Sequence, residues 1–347
     1  MYPVVFQPVV KERIWGGHQL KTMFGVETDR PIGEYWTLAD HPAGSSTVRN
    51  GRLLGRTLTE IVQDHPEDYL GRTRAKHFPL MVKFLEAESN LSVQVHPGDD
   101  YASMHGGDNG KTEAWYVLRA LPGAKVNVGH RFANPDVFRQ AIREGRLEDG
   151  LEFLNIHSGD VIYVPSGTLH ALLEGTQVIE VQQSSDVTYR VYDWNRVDEH
   201  GNSRDLHVDD ALAVLRFPEN DGNDVNSDHA AAWQRDGARV IYSGPGVVHE
   251  RKVDGEHFCL DTLSLREAGW KRLREGGTSP EILILAEGAC RLTANSLDAE
   301  DFSAEERVLD LVPGDTVLVP ATMSSYHLQT PSHAQFVLAT YPTTQHG

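Results

Sequence analysis

Two histidines, a glutamate and a glutamine stand where strands can bring them to one point. In the segment 91–96 (LSVQVH) side chains alternate between faces with period two. Ser92, Gln94 and His96 therefore share one face, and Leu91, Val93 and Val95 share the other, apolar one. In 111–117 the same alternation groups Lys111, Glu113, Trp115 and Val117. His170 follows the turn and strand of 156–165. Two imidazoles, one carboxylate and one amide oxygen make a mixed nitrogen–oxygen donor set. It suits one Zn2+ per chain at Gln94, His96, Glu113 and His170, with iron, manganese or cobalt as substitutes. Neither Cys259 nor Cys290 lies near these residues, which excludes a thiolate site. A lone strand histidine is more often a surface or core residue, and 17 histidines make chance pairs common. The case rests on the coincidence of the whole set.

The elements that must position these groups read mostly as short strands: 80–86, 91–96, 113–119, 161–164, 177–182 and 187–194, then 239–243, 257–265, 281–286 and 316–319. Many short strands with turn signals between them predict a mainly β protein. Helical periodicity is confined to 57–70 (interrupted at Pro66), 135–149 and 207–217. Asn134 and Pro135 predict the start of the second helix as N-cap and first helical residue. Trp15, Gly16 and Gly17 read as a turn near the pocket mouth. The stretch 218–229 (PENDGNDVNSDH) is polar and almost free of apolar side chains, so it reads as a linker or long surface loop. A repeat crosses it. IHSGDVIYVPSGTLH (156–170) and LVPGDTVLVPATMSSYH (311–327) share Gly-Asp, an apolar run, Val-Pro and a histidine. His170 lies five positions after Pro165, whereas His327 lies seven after Pro320, so Ser325 takes the place of His170. The second copy also lacks a preceding Q-x-H strand.

The 347 residues exceed one ordinary domain. The expected division is a catalytic metal-binding domain over 1–217, a linker or loop over 218–236, and a second, metal-free domain over 237–347. The two cysteines each sit in an apolar run, which favours buried thiols and a reducing compartment. No signal peptide is legible at the N-terminus, and no apolar run approaches the roughly 20 residues that span a bilayer. A cytoplasmic protein that does not meet a membrane is expected, as monomer or homodimer. The formal net charge of −18 argues against nucleic acid as a partner.

Q-x-H before Pro97-Gly98, then Glu113, then Gly159-Asp160, Pro165 and His170 together resemble the two-part cupin pattern. It implies two cupin-type β-barrels (jelly-roll) with a few helices inserted in the first half, only the first barrel holding metal. Over most of 1–217 the chain resembles the type I mannose-6-phosphate isomerases of the short bacterial form. RIWGGHQL (13–20), IGEYWTLADHPAGSSTVRNG (32–51), FLEAESNLSVQVHPGDDYA (84–102), GKTEAWYVL (110–118), VPSGTLHAL (164–172) and IEVQQSSDVTYRVYDW (179–194) carry the likeness. The resemblance implies zinc at Gln94, His96, Glu113 and His170. It implies active-site roles for Lys111, Arg190 and Glu180, and substrate contacts for Ser92 and Lys83. It implies the interconversion of mannose 6-phosphate and fructose 6-phosphate.

The residues can support that chemistry. Aldose–ketose exchange moves a proton between C1 and C2 through an enediol and needs a base, an acid and charge stabilisation. Either direct polarisation by the metal or relay through its bound water would serve, and the sequence does not choose between them. Arg190, expected on one strand face with Tyr192, can hold an oxyanion or phosphate bidentately. Lys111 shares a face with Glu113, and a nearby metal ion would lower its pKa. Glu180, on an apolar strand, is either catalytic or a structural partner of Arg190 or a ligand histidine. Ser92 either meets phosphate or lines the interior. The acidic surface repels a phosphorylated hexose at long range, so local cations must capture it. The rival readings are an iron dioxygenase, an aldose isomerase of broader range, and a non-catalytic sugar sensor. Lys111 and Arg190 favour an anionic, polar substrate.

Overall fold

The computed structural model describes residues 1–342 apart from 74, 107–108, 198–199, 218–237, 275–278, 296 and 298–299. The expected linker 218–236 lies outside the described residues.

Four antiparallel sheets stack face to face. The outermost on one side has five strands, in the order Leu151–Asn155, Lys125–His130, His170–Leu172, Val93–Val95, Tyr189–Tyr192. Next comes a six-stranded sheet: Val161–Val164, Glu113–Ala120, Thr176–Gln183, Leu80–Ala87, Ile32–Leu38, Val9–Gly17. The eight-stranded sheet follows, running from Arg239–Gly244 through Glu281–Gly288 and Thr316–Val319 to Val4–Gln7 and Thr47–Val48. A four-stranded sheet closes the stack, with Gly269–Leu273, Ser325–Gln329, Cys290–Thr293 and Val308–Leu311. The chain start thus pairs with the second repeat: Val4 lies opposite Leu318.

Side-chain alternation explains the stacking. On the strand Glu113–Ala120, Trp115 and Val117 meet Val126, Val128 and Leu172 of the five-stranded sheet. Ala114 and Tyr116 turn the other way, into a core shared with Leu260, Ile282 and Val337 of the eight-stranded sheet. A third core, with Phe336 and Leu285 against Tyr326 and Leu328, joins the last two layers. Fully burying such a side chain contributes about 1.5–3 kcal/mol. The middle strands are therefore apolar on both faces, and any charge on them is conspicuous.

The mainly β expectation holds, but the barrels do not. Among the described residues no sheet closes into a barrel; each hydrogen-bonded order ends in two edge strands. The interior is enclosed by open sheets packed face to face. Alternation is the same in a sandwich and in a barrel, because only the meeting of the edges distinguishes them.

Most helices fall in the first half. Thr57 and Glu60 form a capping box before Leu58–Asp64, and Pro66 starts a separate turn, Pro66–Tyr69. Asn134 caps Pro135–Arg143, its side chain accepting from Val137 N at 3.0 Å. That helix and Val208–Val214 cover the outer face of the five-stranded sheet, where Val93, Val95 and Val191 meet Phe138 and Ala211. Gly16 and Gly17 end the strand Val9–Gly17 and do not form the expected turn. A Cβ on Gly16 would fall 2.4 Å from Gly33 N, so glycine there serves close strand approach. Both cysteines are free thiols, Cys290 buried and Cys259 half-buried. Among the described residues no helix is long and apolar enough to cross a membrane.

Candidate metal centre

The five- and six-stranded sheets face one another with polar rows set into their apolar inner surfaces. Across the five-stranded sheet, Gln94 lies directly opposite His170 on one side and Arg190 on the other. Across the six-stranded sheet, Trp115, Glu180, Lys83 and Trp36 stand opposite one another on four successive strands. Glu113 begins its strand two residues before Trp115, on the same face.

His96, Glu113 and His170 converge, with ligand-type atoms all within 4.8 Å of one another. Each is almost wholly buried. Glu113 Oε1 lies 3.3 Å from His170 Nε2, and Oε2 lies 3.4 Å from His96 Nε2 and 3.0 Å from Lys111 Nζ. Beyond this ion pair with Lys111, neither carboxylate oxygen accepts a well-aligned hydrogen bond from a described residue. A buried carboxylate in that condition costs several kcal/mol unless positive charge meets it. Each imidazole is fixed through its other nitrogen: His96 Nδ1 is 2.8 Å from Val187 O, and His170 Nδ1 is 2.9 Å from Thr168 O. With Nδ1 donating, Nε2 keeps its lone pair toward the cluster, where Lys111 Nζ stands 3.1 Å from His96 Nε2; metal-binding histidines require that orientation. Gln94 closes the group, its Nε2 3.4 Å from His170 Nε2 and its Oε1 accepting from Ser92 Oγ at 3.1 Å. A half-turn of the amide exchanges its O and N in place, which brings the carbonyl to His170. The donor set fits a divalent ion.

Electrostatics agree. Burial, reinforced by Lys111, pushes the His96 pKa down to about 3 against the pull of Glu113, so the ring is neutral. Burial likewise lowers His170. Burial would raise Glu113, but Lys111 and the two histidines hold it well below the usual carboxylate range. For Lys111 burial acts downward, while Glu113 and Glu180 outweigh it and raise the ammonium above its ordinary value. The lowering expected beside a cation is thus opposed by two carboxylates.

Above this cluster lies a cavity of about 490 Å³. Lys83, Ser92, Gln94, Lys111, Glu180 and Arg190 all line it, so the expected substrate-side residues are brought together. Glu180 accepts from Trp115 Nε1 at 3.0 Å and lies 3.7 Å from Lys83. Its partners are these, and not Arg190 or a histidine. Burial, then the neighbouring Glu113, raises its pKa. Arg190 Nε donates to Ser92 Oγ at 3.2 Å, and Nη1 to Asp205 O at 3.1 Å. Tyr192 does not share its face. The register shifts between Arg190 and Tyr192, and the Tyr192 hydroxyl bonds Glu148 at 2.6 Å. Residue-level reading of the sequence missed Arg13, Glu34, Asp186 and Arg204, which also line the cavity. Glu34 was findable, as the one carboxylate in the fully buried strand Ile32–Leu38. It accepts from Arg13 Nε at 2.7 Å and Trp36 Nε1 at 2.6 Å. Gly33 lets Arg13 and Trp15 cross that strand, since a Cβ there would lie within 2.7 Å of both.

A model of the type I phosphomannose isomerase catalytic domain matches residues 4–114. A probable mannose-6-phosphate isomerase of Bacillus subtilis is 47% identical over 219 residues, covering 62% of this chain and 69% of that protein. The chain belongs to the type I mannose-6-phosphate isomerase family. It is an enzyme, an isomerase. The mannose-6-phosphate isomerase of Streptococcus mutans is 42% identical over 214 residues, 61% of this chain and 67% of that one. Likeness to the family extends over the whole chain in three dimensions. The crystal structure of the mannose 6-phosphate isomerase from Bacillus subtilis matches with a TM-score of 0.84, at 32% identity, over 98% of this chain and 99% of that one.

Proposed function

We propose that the enzyme interconverts mannose 6-phosphate and fructose 6-phosphate, using one zinc ion held by Gln94, His96, Glu113 and His170. The observation that carries this reading is Glu113, a buried carboxylate with no well-aligned hydrogen bond to either oxygen, between two imidazoles aimed at it. When bound, the ion polarises the oxygens at C1 and C2 of the sugar or the water beside them. The chain's residues do the rest. Proton exchange between C1 and C2 through an enediol needs a group that can both take and give a proton. Glu180 suits this, because burial and Glu113 raise its pKa while Lys83, 3.7 Å away, steadies the ionised form. Lys111 stays protonated and donates to the developing oxyanion. Arg190 and Ser92 receive the anionic part of the substrate, and Lys83 holds a hydroxyl near Glu180. Residues 1–217 form the catalytic part and 237–347 the metal-free part in this reading, in a cytoplasmic protein. A coupled assay on mannose 6-phosphate, with and without chelator, tests it. Turnover that chelator abolishes and zinc restores is expected; no turnover with zinc present overturns it.

A further inference from the structure

Two chain segments run side by side into the metal centre, one carrying His96 and the other Lys111. Lys111 N donates to Pro97 O at 2.9 Å. Its Nζ stands 3.1 Å from His96 Nε2 and 3.0 Å from Glu113 Oε2. Lys111 lies before the strand Glu113–Ala120, outside the sheet ladder. A lysine reaches its target on a long flexible stem, so the aim of its ammonium depends on how firmly the backbone is held. The two segments meet at Gly110, where a Cβ would fall 2.5 Å from Asp99 N and 2.6 Å from Gly98 C. Glycine permits that approach.

Asp99 and Gln183 bridge the junction. Asp99 Oδ1 accepts from Gly110 N at 2.7 Å and from Gln183 Nε2 at 3.0 Å, and its Oδ2 lies 3.3 Å from the same nitrogen. Gln183 Oε1 accepts from Thr112 N at 2.9 Å. A backbone N–H can only donate, so the amide of Gln183 has one orientation here. The three successive backbone amides of Gly110, Lys111 and Thr112 are thus held by Asp99, Pro97 and Gln183 in turn. The metal ligands have separate supports: His96 bonds Val187 O, and Glu113 pairs with Val164 and Gln182 in the sheet. Gln183 is buried, whereas the Asp99 side chain is 52% exposed, so truncating it opens no cavity. From the other half of the chain, His257 Nδ1 lies 3.8 Å from Asp99 Oδ2.

We propose that Asp99 and Gln183 are the positioning residues of Lys111. Their bonds to each other and to the amides on either side of Lys111 fix the backbone from which its ammonium reaches the reacting sugar oxygens. The inference rests on the role of Lys111 in the phosphosugar isomerase reading. Lys111 acts there on charge that develops only in the transition state, so a displaced ammonium lowers kcat and leaves KM alone.

The test breaks the bridge and then rebuilds it with the charges exchanged. Asp99→Ala removes the acceptor. Gln183→Glu keeps the bond from Thr112 N but sets a carboxylate against Asp99, assayed at about pH 8 where exposed carboxylates are ionised. Each should lower kcat on mannose 6-phosphate about tenfold or more, with KM within about twofold and wild-type metal content. Adding Asp99→Asn to Gln183→Glu supplies an amide that donates back across the junction, and kcat should return to within about threefold of wild type. His257→Ala removes a neighbour of the same carboxylate outside the bridge and should leave kcat within about twofold. Wild-type kcat in both single variants, a double variant no better than Gln183→Glu, or an equal fall in His257→Ala overturns the proposal. Hydrogen exchange of the peptide spanning Gly110 to Thr112 needs no turnover, and it should quicken in Asp99→Ala; unchanged exchange also overturns the proposal. Faster exchange in the variant, with a wild type that does not isomerise the sugar, would refute the isomerase reading and leave the positioning of Lys111 standing.

Discussion

Glu113 and Glu281 occupy the same place in two copies of one strand arrangement. Each is the first residue of its strand, and each lies opposite the valine that precedes a proline: Val164 for Glu113, Val319 for Glu281. Both carboxylates are buried. Their surroundings have diverged. Glu281 Oε1 accepts from Arg272 Nε at 3.0 Å and Nη2 at 2.6 Å. Its Oε2 accepts from the Tyr326 hydroxyl at 2.8 Å and lies 3.2 Å from Arg274 Nε. Glu113 has two imidazoles and an ammonium nearby but no well-aligned hydrogen bond. A buried carboxylate needs positive charge. One copy meets that need with guanidiniums; the other meets part of it with the Lys111 ammonium, 3.0 Å from Oε2, and keeps imidazole lone pairs aimed at a shared point. The second arrangement is the one with donor atoms left open to a cation.

Four substitutions sharpen the contrast. Glu113→Gln removes the one anionic member of the proposed ligand set. Loss of a group that merely orients a ligand weakens a metal site roughly 10- to 100-fold, so both metal content and turnover should fall by at least about a hundredfold. Elemental analysis and the coupled assay read this, and retained metal would place the site elsewhere. Arg190→Ala should lower turnover on mannose 6-phosphate by about tenfold to a hundredfold, each charge-assisted bond contributing about 1.5–3 kcal/mol. Its metal content should match wild type, and Arg190→Lys should not restore the rate. Unchanged kinetics would remove Arg190 from the substrate site.

Glu281→Gln strips the counter-charge from Arg274, itself only 5% exposed. Breaking a buried pair from one side costs about 3–5 kcal/mol, so denaturant unfolding should register a loss of that order while metal content stays the same. A drop in metal content would mean that the two halves are not divided as described. The smallest effect belongs to His327→Ala. Tyr326 and Leu328 point into the core, so His327 points out of it, and Ser325 holds the first strand position that His170 holds in the other copy. Metal content should be unaltered and activity within about twofold of wild type.

These contrasts also show what a sequence discloses. The faces of Gln94, His96, Glu113 and Trp115 were legible because strand alternation is geometric. Arg190 was placed on the correct side, but Tyr192 was not, since a register shift leaves no mark in a period-two pattern. The chain start was illegible for another reason. Val9–Gly17 ends in Trp-Gly-Gly, which reads as a turn until Gly16 is seen packed against Gly33. Asp193 accepts from Arg204 Nε at 2.7 Å, a partner 11 positions on in sequence that no strand or helix periodicity picks out. Barrel closure was misjudged because local alternation says nothing about sheet edges.

The central claim is that one copy of the repeat is a metal site and the other is not. Elemental analysis of the full chain, for wild type and for His96→Ala combined with His170→Ala, tests it most directly. The account predicts close to one divalent ion per wild-type chain and close to none in the double variant, with the fold intact by circular dichroism. Two ions per wild-type chain, or one ion retained after both histidines are gone, would contradict it.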